Sequence, residues 1–209
     1  MTDPAIHPAE VIGPHGRQAT SGRIRAVAVF LSSAKRVDKI YFDAARDMGR
    51  AIAKAGWTTV YGGNYIGPMA ALADGARERG GTVLGITPKL FVDEGVADTL
   101  CDELIVTDSM RERKHLLERR ADAFVTLPGG LGTYEELLEI VVGRQLGLHH
   151  KPIVVLNLAD YYTPLLEMFD RGVEQHFVRA EARNLIQVAT TVESVIEILT
   201  AADVSAAGR

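Results

Sequence analysis

Two stretches of the chain bring together residue types that do chemistry. The first is Pro128-Gly129-Gly130-Leu131-Gly132-Thr133-Tyr134-Glu135-Glu136, which directly follows the apolar run at residues 123–127. Glycines let a backbone approach a ligand closely. A helix opening behind them offers free N–H groups and a partial positive charge, the makings of a phosphate site. The Walker pattern needs a Gly-Lys-Ser/Thr that is missing here, and Glu135 stands where a dinucleotide fingerprint needs its last glycine. A mononucleotide suits the loop better than a dinucleotide. Within it Glu136 has two readings. Thr133-x-x-Glu136 matches a capping box, in which the carboxylate reaches back to the cap N–H. Alternatively, three carboxylates (Glu135, Glu136, Glu139) crowd a site meant for an anion because one of them is catalytic.

The second stretch is Ser109-Met110-Arg111-Glu112-Arg113-Lys114. Ser109-x-x-Glu112 is a capping box, so a helix is expected to start here. Arg111, Arg113 and Lys114 then fall in its first turns, where exposed cations oppose the helix dipole by about 0.3–1 kcal/mol each. Such placement points to an anionic ligand or a carboxylate partner. A weaker third signal, Tyr61-Gly62-Gly63-Asn64, comes after another apolar run and precedes a helix that Pro68 is suited to open. Gly62 and Gly63 would form a second glycine-rich wall of the same site. Ser33, at the end of the first apolar run, is a candidate ligand contact. His149-His150 reads as a solvated turn, and Met48 and Trp57 as core.

The elements that must position these residues are legible in the hydrophobic pattern. Short runs rich in Val, Ile and Leu recur at residues 26–31, 58–61, 82–86, 104–106, 123–127, 152–156 and 185–188. They fit strands buried on both faces of a parallel sheet. Helically spaced stripes lie between them, such as Tyr41, Ala44, Ala45, Met48, Ile52 and Ala55. Strict alternation predicts an α/β fold, a Rossmann-like doubly wound, mainly parallel sheet with helices on both faces. Ligands in such folds bind beyond the carboxyl ends of the strands. Residues 1–22 read as a flexible tail rich in Pro and Gly, residues 23–202 as one nucleotide-binding domain, and residues 203–209 as a second tail.

Composition narrows the function classes. With 209 residues and 47 % hydrophobic content, the chain has ample material for one core. The net charge of −4 has the wrong sign for a general nucleic-acid binder. The single cysteine, Cys101, makes neither an internal disulfide nor a CxxC zinc site. No apolar run is long enough to cross a bilayer and residues 1–22 lack a secretory h-region, so a cytoplasmic setting without membrane partners is expected.

The order Met110-x-x-Arg113-Lys114, then Pro128-Gly129-Gly130-x-Gly132-Thr133-x-x-Glu136, resembles the Lonely Guy family of cytokinin riboside 5′-monophosphate phosphoribohydrolases, once misnamed lysine decarboxylases. The resemblance spans residues 24 to 199 and includes Tyr61-Gly62-Gly63 and Ile86-Thr87-Pro88-Lys89. It implies a Rossmann-like fold, a homodimer, no cofactor or metal, and hydrolysis of a nucleoside 5′-monophosphate to free base and ribose 5-phosphate. By the same resemblance Arg113 and Glu136 are the essential pair, and the glycine motif holds the 5′-phosphate. The chain departs from the family at Leu31, Asn64 and Pro68, which border the expected site and bear on base preference. The alternative is a non-catalytic carrier of a phosphorylated cofactor, similar to the molybdenum-cofactor carriers, which share a related fold and glycine motif.

Overall fold

The computed structural model describes residues 23–207, with side chains described as far as Asp203. The tail expected over residues 1–22 lies outside the described residues. All seven expected strands are present: β1 (Ala26–Phe30), β2 (Thr58–Tyr61), β3 (Val83–Pro88), β4 (Glu103–Thr107), β5 (Ala123–Thr126), β6 (Ile153–Leu156) and β7 (Ile186–Ala189). Between and after them run α1 (Lys39–Lys54), α2 (Gly67–Arg77), α3 (Lys89–Asp93), α4 (Met110–Arg120), α5 (Leu131–Gln145), α6 (Thr163–Glu174), α7 (Ala180–Arg183) and α8 (Val192–Ala207). The C-terminal tail expected from residue 203 is a difference, because α8 carries on to Ala207. Asp203 on that helix accepts a hydrogen bond from the Ile24 N–H and ties the last helix to the entry of β1.

The strands form one parallel sheet in the order β4-β3-β2-β1-β5-β6-β7. Side chains of a strand alternate between its faces, and β1 divides accordingly. Val27, Val29 and the adjoining Leu31 pack with Met48, Ile52, Leu72, Val195 and Leu199 on the face of α1, α2 and α8. Ala28 and Phe30 pack with Leu117, Leu137, Ile140 and Leu166 on the face of α4, α5 and α6. Both faces of β1 are therefore dry, which is why its sequence is apolar throughout. Backbones of α1 and α2 approach closely because a Cβ at Gly49 would collide with the Leu72 carbonyl, and one at Gly75 with the Arg46 carbonyl. Met48 and Trp57 are core, as expected.

His149 is a correction. Rather than lying in a solvated turn, it is buried, its Nε2 lies 2.9 Å from the Ile140 carbonyl and its ring meets Phe124 edge-on. The apolar cover of α5 and β5 draws the imidazole in, and burial lowers its pKa. Among the described residues no helix is long and apolar enough to cross a membrane.

The topology fixes where a ligand site belongs. From β1 the chain steps outward through β2 and β3 to β4, then crosses back to β5 on the other side of β1. The connections after β1 and β5 leave in opposite directions, and a crevice opens between them at the carboxyl ends.

Candidate active site

Four connections converge at the carboxyl end of the sheet, and α4 brings the first functional side chains to it. Ser109 caps α4 as expected, its Oγ accepting from the Glu112 N–H at 3.1 Å. The Glu112 carboxylate reaches back past the cap and accepts from the Asp108 N–H at 3.0 Å, a return bond one residue earlier than the capping box requires. With the start fixed there, Arg113 turns inward and is 4 % exposed. Its Nε donates to the Ile86 carbonyl at the end of β3, and Nη1 donates to Glu136 Oε1, each at 3.0 Å. Gly62, just past β2, makes room for the guanidinium: a Cβ there would collide with Arg113 Nη2. Gly63, at φ +69°, packs against Ile86 and Thr87. Lys114 pairs with Glu135 and Glu139, both at 2.8 Å. Two of the three cations that oppose the helix dipole thus have carboxylate partners, while Arg111 is exposed.

The head of α5 departs from the sequence reading. Its N-cap is Gly130, and the Tyr134 N–H closes the first turn on the Gly130 carbonyl at 3.0 Å. Thr133 lies inside the helix, buried against Gly129, where a Cβ would collide with its side chain. The expected Thr133 cap is therefore absent, and Glu136 does not bond back to a cap N–H. Its carboxylate faces Arg113 instead and is 7 % exposed. Burial raises the Glu136 pKa above the ordinary carboxylate range, with the Arg113 charge pulling the other way.

The three glycines of this loop serve different ends. Gly129 is required by Thr133, whereas Gly130 and Gly132 have nothing within 4 Å of a would-be Cβ and neither has positive φ. Packing gives no reason for glycine at these two positions, and what they leave open is the space over the helix N-terminus. The N–H groups of Leu131, Gly132 and Thr133 have no acceptor within the helix, so an anion fits that space.

Of the sequence-predicted residues, the fold joins Arg113, Glu136 and Gly62 directly. It sets Gly129, Gly130, Gly132 and Thr133 at the head of the helix that carries Glu136, and Lys114 beside the pair. Met110, the first residue of α4, and Ser33, after β1, are exposed, and their side chains form no hydrogen bond or ion pair with Arg113 or Glu136. The Ser33 carbonyl backs onto Gly67, whose φ of +58° and close approach require glycine. A groove of about 520 Å³ opens nearby between α1 and α2, lined by Lys35, Phe42, Tyr65, Asp74 and Val96 among others, and includes none of the catalytic candidates.

Sequence reasoning placed Asn64 at the border of the site but missed its bond to Thr87, and it missed a pair of tyrosines altogether. Asn64 and Thr87 are both buried, and Thr87 Oγ1 donates to Asn64 Oδ1 at 2.8 Å, joining the connection after β2 to the end of β3. The Asn64 side chain thus has a buried partner of its own. Tyr161 and Tyr162 lie beyond β6 and grip the glycine loop: Tyr161 Oη donates to the Gly129 carbonyl at 2.6 Å, and Tyr162 Oη to the Leu127 carbonyl at 2.8 Å. Ligand sites in parallel sheets gather residues just past the carboxyl end of each strand. Applied to β6, that rule finds this tyrosine doublet.

The family described as "Possible lysine decarboxylase" matches residues 69–199. A probable cytokinin riboside 5′-monophosphate phosphoribohydrolase of Oryza sativa subsp. japonica is 39 % identical over 177 residues, 85 % of this chain and 72 % of that one. A cytokinin riboside 5′-monophosphate phosphoribohydrolase of Arabidopsis thaliana is 35 % identical over 184 residues, 88 % of this chain and 81 % of that one. Among solved structures, the molybdenum cofactor binding protein of Rippkaea orientalis superposes with a TM-score of 0.68 at 22 % identity, covering 86 % of this chain and 97 % of that one.

Proposed function

Since the chain belongs to the Lonely Guy family, the cytokinin riboside 5′-monophosphate phosphoribohydrolases described as possible lysine decarboxylases, we propose that it hydrolyses the N-glycosidic bond of a nucleoside 5′-monophosphate. The substrate is a cytokinin riboside 5′-monophosphate or AMP, and the products are the free base and ribose 5-phosphate. One observation carries the reading: the buried Arg113–Glu136 pair stands at the second turn of a helix whose N-terminus is opened by Gly130 and Gly132.

The roles come from that arrangement. The Gly129–Thr133 backbone holds the 5′-phosphate and so fixes C1′ near Glu136. As the bond to the base breaks, positive charge develops on the ribose, and the Glu136 carboxylate stabilises it. Water adds to C1′, and its proton leaves with the base. Arg113, held by Ile86 and Glu136, fixes the carboxylate and positions the substrate. Lys114, Gly62, Gly63, Ser33 and Met110 line the remainder. The carrier reading has less support, because likeness to the molybdenum-cofactor proteins is at 22 % identity and shows the fold alone.

The test is to incubate the purified protein with AMP and with isopentenyladenosine 5′-monophosphate and to follow free base by chromatography. Release from at least one, abolished in Glu136→Ala, is expected. Folded protein that releases base from neither would overturn the hydrolase and favour the carrier.

The working form in this reading is a cytoplasmic homodimer acting on a small nucleotide rather than on nucleic acid. A cytoplasmic setting accords with the lone free thiol, Cys101. The dimer is supported by α5, whose outer face exposes Leu131, Leu138, Val142 and Leu146 at helical spacing. An apolar stripe of this kind is the sort of surface that a second copy covers. Sedimentation equilibrium is expected to give twice the chain mass for the native protein and the monomer mass for Val142→Glu. A Val142→Glu variant that stays dimeric would remove α5 from the interface.

A further inference from the structure

Tyr161 makes a contact that the proposed mechanism does not use. The Gly129 carbonyl can only accept, so the single hydroxyl proton of Tyr161 is committed to it. The Tyr134 hydroxyl, 2.8 Å away, must then donate to Tyr161 Oη. The connection that delivers Tyr161 is unusual, since Ala159 and Asp160 are successive non-glycine residues at φ +50° and +58°. Sparsely populated backbone of this kind persists where the surroundings over-determine it. The neighbouring Asn157 fixes it further, its Oδ1 accepting from the Tyr162 N–H at 2.7 Å. The Tyr161 ring is held edge-on by Tyr41 and Tyr162.

The consequence lies in one peptide plane. In a trans peptide the C=O of Gly129 and the N–H of Gly130 point in opposite directions. Clamping the carbonyl to Tyr161 therefore turns the Gly130 N–H away from the tyrosine. Gly130 is exposed, and its N–H has no acceptor among the described residues. Flanked by two glycines, this peptide would otherwise rotate at little steric cost.

We propose that Tyr161 is a positioning residue for phosphate recognition: it holds the Gly129–Gly130 peptide so that the Gly130 N–H joins those of the α5 N-terminus facing the 5′-phosphate. The inference rests on the proposed phosphoribohydrolase reading and deepens it. Tyr162 holds the same loop two residues earlier, with Oη on the Leu127 carbonyl and against the Gly129 backbone, so its variant tests whether the effect is specific to the Gly129–Gly130 peptide.

The experiment compares Tyr161→Phe, Tyr162→Phe and wild type. Calorimetric binding of ribose 5-phosphate is measured beside kinetics on AMP, on isopentenyladenosine 5′-monophosphate and on the phosphate-free nucleosides. Tyr161→Phe is expected to weaken ribose 5-phosphate about 10-fold, within the range of one charge-assisted hydrogen bond. The KM for the monophosphates should rise in proportion with kcat nearly unchanged, and turnover of phosphate-free nucleosides should not fall further. Tyr162→Phe is expected to lower the melting temperature and to weaken ribose 5-phosphate less than Tyr161→Phe does; equal weakening in the two variants overturns the assignment to the Gly129–Gly130 peptide. Unchanged ribose 5-phosphate affinity in Tyr161→Phe overturns the proposal, as does failure of the wild type to bind that ligand. Wild type that binds it, loses it on Tyr161→Phe and yet cleaves no monophosphate would support the clamp and reject the hydrolase.

Discussion

Glu136→Gln is expected to lose base release by about 10³-fold or more, the scale of removing a transition-state charge partner, and to fold with reduced stability because the buried Arg113 charge then faces only a neutral amide. Glutamine matches glutamate in shape, and its amide oxygen still accepts from Arg113 Nη1 across the 3.0 Å contact. What disappears is the negative charge that faces the forming oxocarbenium ion. A variant near wild-type rate would discard the mechanism. The wild-type rate carries a second signature. Burial raises the Glu136 pKa, and the carboxylate form is the active one, so activity should rise with pH through a limb above the ordinary carboxylate range. That limb should be missing from the residual activity of Glu136→Gln. Initial rates between pH 4 and 8, with circular dichroism as the folding check, test both points.

Arg113→Met has the largest expected effect on stability. The pair is buried on both sides, and removing one partner leaves an unpaired charge at a cost of about 3–5 kcal/mol near neutral pH. The Ile86 carbonyl loses its donor in the same step. The pH dependence has a definite sign. Without Arg113 the Glu136 carboxyl keeps the burial that raises its pKa and loses the charge that lowers it. A carboxyl whose folded pKa exceeds its unfolded one binds its proton more tightly when folded. The variant should therefore be most stable below the unfolded glutamate pKa and lose stability as pH climbs through the folded one. Urea midpoints should fall from pH 5 to pH 8 more steeply in Arg113→Met than in wild type. Equal slopes would mean that the pair does not govern the Glu136 proton. Base release should fall at least about 10²-fold, with the acid limb of the residual rate moved upward.

Much of the fold was legible because its signals are local. β1 and β5 are apolar at nearly every position since each is covered on both faces, and that pattern needs no knowledge of the neighbours. Ser109 and Glu112 sit within one turn of each other, so the Ser109 cap was readable, with Glu112 returning to the Asp108 N–H beside it. The second box was spelled as clearly and did not form. At the head of α5 the chain offers two starts, Gly130 and Thr133, and tertiary packing chose the first: Thr133 is buried against Gly129 while Leu137 and Ile140 enter the core. A threonine committed to packing is not available to cap. His149 was misread for a related reason, since the apolar shelter that buries it comes from Phe124 and α5, one of them far away in the sequence.

By itself, then, the amino-acid order determined the alternating α/β architecture, the glycine-opened helix after the fifth strand and the misplaced cations that needed partners. These rest on periodicity and on residue types only a few positions apart. Which carboxylate answers Arg113, which peptide the tyrosines hold and which residue caps α5 were decided only by the tertiary structure. Arg113 and Glu136 are 23 positions apart, and Tyr161 and Gly129 are 32. Such pairs meet because the chain crosses from β4 to β5 beyond β1, gathering the carboxyl ends of separate strands around one crevice. Burial there turns an ordinary Arg–Glu contact into a paired charge that neither residue can abandon, because low-dielectric surroundings penalise each charge left alone.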